Sequence, residues 1–422
     1  MHFPELKKAI EHTFGRPINN RPDCEALSVA IFEQTKRTIS YNTLRRFFQL
    51  AGDKSTTKLS QNTLDVLANY CGYPTHSAFE MEQSAFTSIS TFYRLQLHLQ
   101  QKEHLTRTDV EQCLAQIPDE QQRYNFMNAV ILLAFKRADL VFLKELFQLS
   151  AIFNGDHYLN SNLYFLIHTI GIQIRHQPEL SHALWEAWAQ DDKARFYYFE
   201  LFVDMDFLFL SHYRALEYYD WYSTKKQDRL FASSLLSWRH LLMGDFTHAS
   251  TYLERIQLEE SDNRIHPLVI ARVFNALLLN DWLTKKAVSP QRMSDLLRFK
   301  DRFQSEVTPF FELWICEGLL ITQQYELVLS CCSTIREKTK GRTEYFMNGS
   351  LQRMRLIEQL AMKKSGHINQ SKQGMNFNPD DLDIFSREYD SVFFAALNPT
   401  AISESTLSNF RLLGLDSLLT LL

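Results

Sequence analysis

The residues able to do chemistry here are fourteen histidines, six cysteines and a large set of carboxylates, and their spacing decides what they can do. The histidines are dispersed from His2 to His367, with no H-E-x-x-H pair among them. The chain has no G-x-S-x-G nucleophile elbow and no glycine loop that would cradle a phosphate. Cys24, Cys71, Cys113, Cys316, Cys331 and Cys332 form no C-x-x-C pair, and none stands at zinc-finger spacing from a histidine. Scattered free thiols fit a reducing compartment, so a cytoplasmic location is expected. The adjacent Cys331 and Cys332 read as small helix residues. Glu200 and Asp204 stand one helical turn apart, a spacing that can serve acid–base or metal chemistry. No histidine follows either at i+3 or i+4, so both are expected to accept hydrogen bonds from Arg or Tyr, or to face water. No catalytic residue, metal ligand or cofactor is assigned, and the chain is not expected to be an enzyme.

The remaining chemistry is that of binding. Asn42, Arg45, Arg46 and Gln49 fall within about 100° of one another on a helix of 3.6 residues per turn. Arginine can donate as a fork to guanine O6 and N7, and Asn or Gln can pair with adenine N6 and N7. Lys36 and Arg37, just upstream, are placed to touch phosphates. A second candidate surface is aromatic. Trp185, Trp188, Tyr197, Tyr198 and Trp221 lie in an unusually ring-rich stretch and could line a groove for a partner, although packing between helices is the commoner use of such rings.

The elements that must hold the basic residues follow from capping rules. Asp23 can cap a helix running to about Lys36, with Leu27, Ala30, Ile31 and Gln34 on one face. Ser40 can cap the next helix, whose buried stripe is Leu44, Phe47, Phe48 and Ala51 and whose stop is expected at Gly52. Twenty residues on, Ser60-Gln61-Asn62-Thr63-Leu64 repeats Ser40-Tyr41-Asn42-Thr43-Leu44, and Gly72 repeats Gly52. Together with Leu64-Asp65-Val66-Leu67-Ala68-Asn69-Tyr70-Cys71-Gly72-Tyr73, the pattern resembles the phage-repressor (Cro-like) helix-turn-helix over about residues 20–75. The resemblance implies that the Ser40-capped helix is a recognition helix and that the later helix closes the core. Where that family places a glycine between its first two helices, this chain has Lys36-Arg37-Thr38.

From about residue 85 to 362, turn and cap residues recur every 20–40 positions, a spacing that suits helix pairs. Trp238-x-x-Leu241-Leu242-x-Gly244-Asp245-Phe246-x-x-Ala249-x-x-x-Leu253-x-x-Ile256 resembles a tetratricopeptide-type hairpin, in which Ala249 lets two helices approach and the aromatic before it wedges the turn. Tyr325 and Leu140 head weaker echoes. The three anchors Leu140, Phe246 and Tyr325 stand 106 and 79 residues apart, so no strict 34-residue period holds.

Composition closes the outline. Glycine (12) and proline (11) are scarce for 422 residues, which favours long helices with short connections over strands. Net charge is −4, split as +2 over residues 1–80 and −6 over the rest, so the molecule as a whole has no field to draw it onto nucleic acid. No run reaches the ~18 apolar residues of a membrane span. The expected fold is all-α: a small N-terminal helix-turn-helix-like bundle (residues 1–80), an irregular α-solenoid of helix pairs (85–362), a linker (363–380) and C-terminal docking helices (381–422). This architecture resembles peptide-sensing regulators that join a repressor-like head to tetratricopeptide-like repeats. The expected function is a DNA-binding regulator with double-stranded DNA on the head and a protein or peptide on the body. Membrane association is not expected, and the apolar C-terminal segment leaves room for a homodimer. The alternative is an interaction scaffold whose head docks protein.

Overall fold

The computed structural model describes residues 3–50, 59–154, 161–259, 264–340, 345–367 and 386–422, with the side chains of 81–90, 345–349 and 401 left aside. Among the described residues every regular element is helical, and the chain divides into two compact units, Met1–Gln101 and Lys102–Leu422.

The first unit contains α1 (Pro4–Phe14), α2 (Arg21–Thr35), α3 (Tyr41–Phe47), α4 (Gln61–Tyr70) and α5 (His76–Gln100). It therefore extends past residue 80 to take in α5. Its core gathers Leu6 and Ile10 of α1, Leu27 and Ile31 of α2, Leu44 and Phe47 of α3, and Leu64, Leu67 and Ala68 of α4. These positions follow the i, i+3, i+4 spacing that puts one face of each helix inward. Gln34, on the same face as Leu27 and Ile31, is exposed and donates through Nε2 to the Tyr70 carbonyl at 3.0 Å.

Two local devices differ from expectation. The cap of α2 is Asn20, whose Oδ1 accepts the Asp23 N–H at 2.9 Å, while Asp23 accepts the Asn19 N–H at 3.1 Å. Helix α3 stops early, at Gln49 (φ 61°). The Gln49 and Leu50 amides donate back to the Arg46 and Arg45 carbonyls at 3.1 and 2.8 Å, a Schellman closure. The expected Gly52 stop and Ala51 lie outside the described residues. The duplicated Ser caps form alike: Ser40 Oγ accepts Thr43 N–H at 3.2 Å, and Ser60 Oγ accepts Thr63 N–H at 3.3 Å.

The second unit runs through α6 (Arg107–Ala115), α7 (Glu120–Lys136), α8 (Leu140–Glu145), α9 (Ser161–His176), α10 (Pro178–Ala189) and the single turn α11 (Asp192–Ala194). Two π-helical stretches, Arg195–Glu200 and Leu208–His212, lead into α12 (Tyr213–Tyr222). There follow α13 (Lys226–Leu242), α14 (Phe246–Leu253), α15 (Pro267–Lys285), α16 (Pro290–Arg302), α17 (Phe310–Ile321), α18 (Tyr325–Thr339) and α19 (Tyr345–Lys364). The unit ends with α20 (Arg387–Leu397), α21 (Glu404–Leu413) and α22 (Asp416–Leu421).

Helices α13, α15, α17 and α19 pack one on the next, with α14 and α18 folded back on α13 and α17, which is a solenoid-like arrangement of pairs. The C-terminal helices dock on it, α20 against α19 and α22 against α20.

The three weakly similar hairpins share one backbone turn. Ala138 (φ 53°), Gly244 (φ 72°) and Gln323 (φ 62°) each take the left-handed conformation. The next amide, of Asp139, Asp245 or Gln324, donates five residues back to Ala134, His240 or Leu319 at 3.0, 2.8 and 2.8 Å. Ala249 is buried at the α13–α14 crossing as expected, but Phe246 stays 44% exposed and does not wedge the turn. At the α15–α17 crossing Asn275 donates to the Trp314 carbonyl at 2.6 Å and accepts the Gly318 N–H at 3.0 Å. A Cβ on Gly318 would stand 2.4 Å from Asn275 Oδ1, so the approach requires glycine.

Candidate nucleic-acid interface

The basic surface of the first unit is built by the end of α2, the turn after it, and α3. Lys36 closes α2 in the left-handed conformation (φ 56°), which is usually left to glycine. The connection is fixed by Ser28, whose hydroxyl donates to the Ile39 carbonyl at 2.5 Å, and by the burial of Ile39. Leu44 and Phe47 anchor α3 from below. The opposite side then carries Asn42 and Arg46 exposed and Arg45 half-buried, with Lys36 and Arg37 exposed in the turn. Gln49 is exposed but, being left-handed and past the last helical turn, does not continue the helical stripe.

The electrostatics separate these residues from the other basic groups of the unit. Arg16 pairs with Asp23 at 3.2 Å. Arg21 pairs with Glu25 at 2.7 Å and lies over the Tyr41 ring at 4.8 Å. Lys36, Arg37, Arg45 and Arg46 form no ion pair among the described residues. Seven residues of α3 make a rod of about 10 Å, shorter than the ~12 Å width of a major groove.

The aromatic candidates of the second unit have a different fate. Trp185, Trp188, Tyr197 and Tyr198 are buried and pack the interior, so they line no open groove. Trp188 donates to the Leu143 carbonyl at 3.0 Å, and Trp185 donates to the Tyr198 hydroxyl at 3.1 Å. Tyr197 stacks on Phe147 with an interplanar angle of 5°. Burial with the polar tip hydrogen-bonded is the expected state for large amphipathic rings in a core. Trp221 alone of the five is open, at 84% exposure. Glu200 and Asp204 do not share a helix face, because the helical stretch ends at Glu200. Glu200 accepts from Tyr219 at 3.0 Å, and Asp204 accepts the guanidinium of Arg175.

The second unit also holds a small cleft between α13, α15 and α17, lined among others by Ser234, Trp238, Arg272, Asn275, Trp314 and Glu317. Arg272 is buried between the Phe231 and Trp314 rings, at 5.1 and 4.5 Å, and its Nη1 has no hydrogen-bond partner among the described residues. Burial and the neighbouring Arg353 lower its pKa to about 9. Beside it, Trp238 donates to the Tyr389 hydroxyl at 3.1 Å, Tyr389 donates to Glu317, and Arg353 pairs with Asp390. Burial pushes Glu317 up to about 7. This network joins residues 37 to 151 positions apart, and no sequence spacing announces it.

No helix among the described residues is long and apolar enough to cross a membrane. The described cysteines are all unpaired, and Cys331 and Cys332 lie buried on α18. No family model, curated protein or solved structure matches this chain.

Proposed function

We propose that the first unit binds double-stranded DNA, with α3 entering the major groove and Lys36 and Arg37 resting on phosphates. The chain would then be a regulator whose helical-repeat body receives a protein or peptide. The observation that carries this reading is the set of four basic side chains on one short helix and its preceding turn, none with an acidic partner among the described residues. Surface cations left unneutralised on a helix that can fit a groove favour a polyanion, since each phosphate contact releases a counterion.

The test is fluorescence anisotropy of the full chain on a mixed-sequence duplex across a salt series. Three to four phosphate contacts give a slope of log K on log salt of roughly −3. Arg45→Ala combined with Arg46→Ala should weaken binding by about 10- to 100-fold with the circular dichroism spectrum unchanged. Salt-independent affinity, or an unaltered double variant, would sink the DNA reading.

The scaffold reading keeps one specific support. Val29 and Phe32, one turn apart on α2, are 57% and 49% exposed, an apolar pair suited to protein docking. A chain with no duplex affinity at low salt, whose self-association is abolished by Val29→Asp, would favour it.

A further inference from the structure

We propose that His240, Asp245 and His248, at the turn joining α13 to α14, form a binding site for one divalent cation of the zinc class. The inference is independent of the DNA reading, because it concerns only the α13–α14 hairpin.

The backbone brings the three residues together. The left-handed Gly244 reverses the chain, and the Asp245 amide donates to the His240 carbonyl at 2.8 Å. Asp245 then caps α14: its Oδ1 accepts the His248 amide at 3.2 Å. This leaves Oδ2 free of the cap, and both imidazoles converge on it, His240 Nδ1 at 3.1 Å and His248 Nδ1 at 2.7 Å. All three ligand atoms lie within 4.8 Å of one another. The rings stack at 5.3 Å and 24°, and His240 also stacks on Tyr252 at 5.7 Å and 17°, which holds its orientation.

Donors about 2.1 Å from a tetrahedral ion stand roughly 3.4 Å apart, so to admit the cation the 3.1 and 2.7 Å Nδ1–Oδ2 contacts must open by about 0.3 and 0.7 Å. Two imidazoles and one carboxylate suit zinc, nickel or copper and disfavour calcium and magnesium, which require oxygen. The His240 side chain is buried while those of Asp245 and His248 are 37% and 68% exposed, so the ion has an entry path and water can complete its sphere. Burial and the adjacent Arg239 hold His240 below the usual imidazole range. The bond to the His248 amide leads the effects that hold Asp245 below the usual carboxylate range. Arg239 Nη1, 3.5 Å from His240 Nδ1, opposes a cation, whereas the carbonyl end of α13 attracts one.

The same turn elsewhere shows that the fold does not require this cluster. Asp139 occupies the equivalent place after α7, yet its carboxylate accepts the Leu105 amide at 2.7 Å and joins no such histidine cluster among the described residues. At the equivalent positions the Gln324 turn carries Leu319, Gln324 and Leu327, none of which is a carboxylate or an imidazole.

The test is calorimetric titration of the full chain with zinc chloride, with cobalt(II) as spectroscopic probe. The expected result is one ion per chain, a tetrahedral cobalt spectrum, and a melting temperature raised by zinc. Asp245→Asn keeps the helix cap, since Asn caps as well as Asp, but removes the anionic ligand. It and His248→Ala should each lower zinc affinity by at least ~10-fold while leaving the apo fold unchanged. No saturable binding, equal binding in both variants, or calcium binding as tightly as zinc would overturn the site.

Discussion

Each unit holds a set of positive charges, and the two sets are handled in opposite ways. In the first, Lys36, Arg37 and Arg46 are exposed and Arg45 is half-buried, and none of the four forms an ion pair among the described residues. In the second, Arg175, Arg353 and Lys338 are drawn inward against Asp204, Asp390 and Glu312. Desolvation makes an unmatched buried cation costly, so the partners of these three are part of the fold, while Arg272 is held between two aromatic rings instead. An exposed cation costs the fold almost nothing, so its presence in a cluster without acids points outward to a ligand. The contrast shows why the same residue type is structural in one unit and a binding candidate in the other.

Mutations can break the contrast in graded steps. The largest effect is expected for Arg353→Ala, which strands Asp390 in the interior and should cost about 3–5 kcal/mol. All six tryptophans lie in the second unit, so urea unfolding followed by tryptophan fluorescence reads that unit alone. Gly318→Ala comes next. Its Cβ meets Asn275, and the same assay should show a loss of roughly 1–3 kcal/mol. Ser40→Ala and Ser60→Ala should each remove about 1 kcal/mol from the first unit, measured by protection of its amides from hydrogen exchange. Equal losses would show that the duplicated caps are energetically as well as geometrically alike.

A pH experiment sharpens the interior side of the comparison. Burial pushes Asp206 up to about 7, while the Tyr389 amide donates to it at 2.8 Å. A carboxyl whose folded pKa is raised contributes stability that is complete below its unfolded value near 3.9 and is lost as pH climbs through about 7. Relative to Asp206→Asn, the native chain should therefore gain in melting temperature by at least ~2 °C between pH 8 and pH 5. A constant difference across that range would show that Asp206 is ionised throughout. The smallest effect is expected at the surface. Arg45→Ala with Arg46→Ala should change stability by no more than about 0.5 kcal/mol, and a larger loss would show these arginines to be structural.

Much of the head was legible because its signals are local. A serine hydroxyl three residues from the amide it caps, and apolar positions at i, i+3 and i+4, determine helix starts and inward faces without reference to distant residues. The exact stops were less legible. Gln49 ends α3 and Lys36 ends α2 in conformations usually left to glycine, so searching for glycine misplaced the end of α3. The cation cluster escaped for a related reason. His240 and His248 are eight apart across a helix break, outside the i+3 and i+4 spacings at which one helix presents two ligands, and only the Gly244 turn brings them to one carboxylate.

The sequence by itself determined the helical class, the Ser caps and the basic composition of α3 with its preceding turn, all properties of short-range periodicity and capping. Tertiary structure decided which aromatic rings are core. Trp185, Trp188, Tyr197 and Tyr198 vanish into the interior while Trp221, from the same ring-rich stretch, stays in water. It also assembled the Trp238–Tyr389–Glu317 chain and the Arg353–Asp390 pair. The reason is physical: burial and long-range pairing depend on which helix faces meet, and a helix's own periodicity states that it has a face without stating what will cover it.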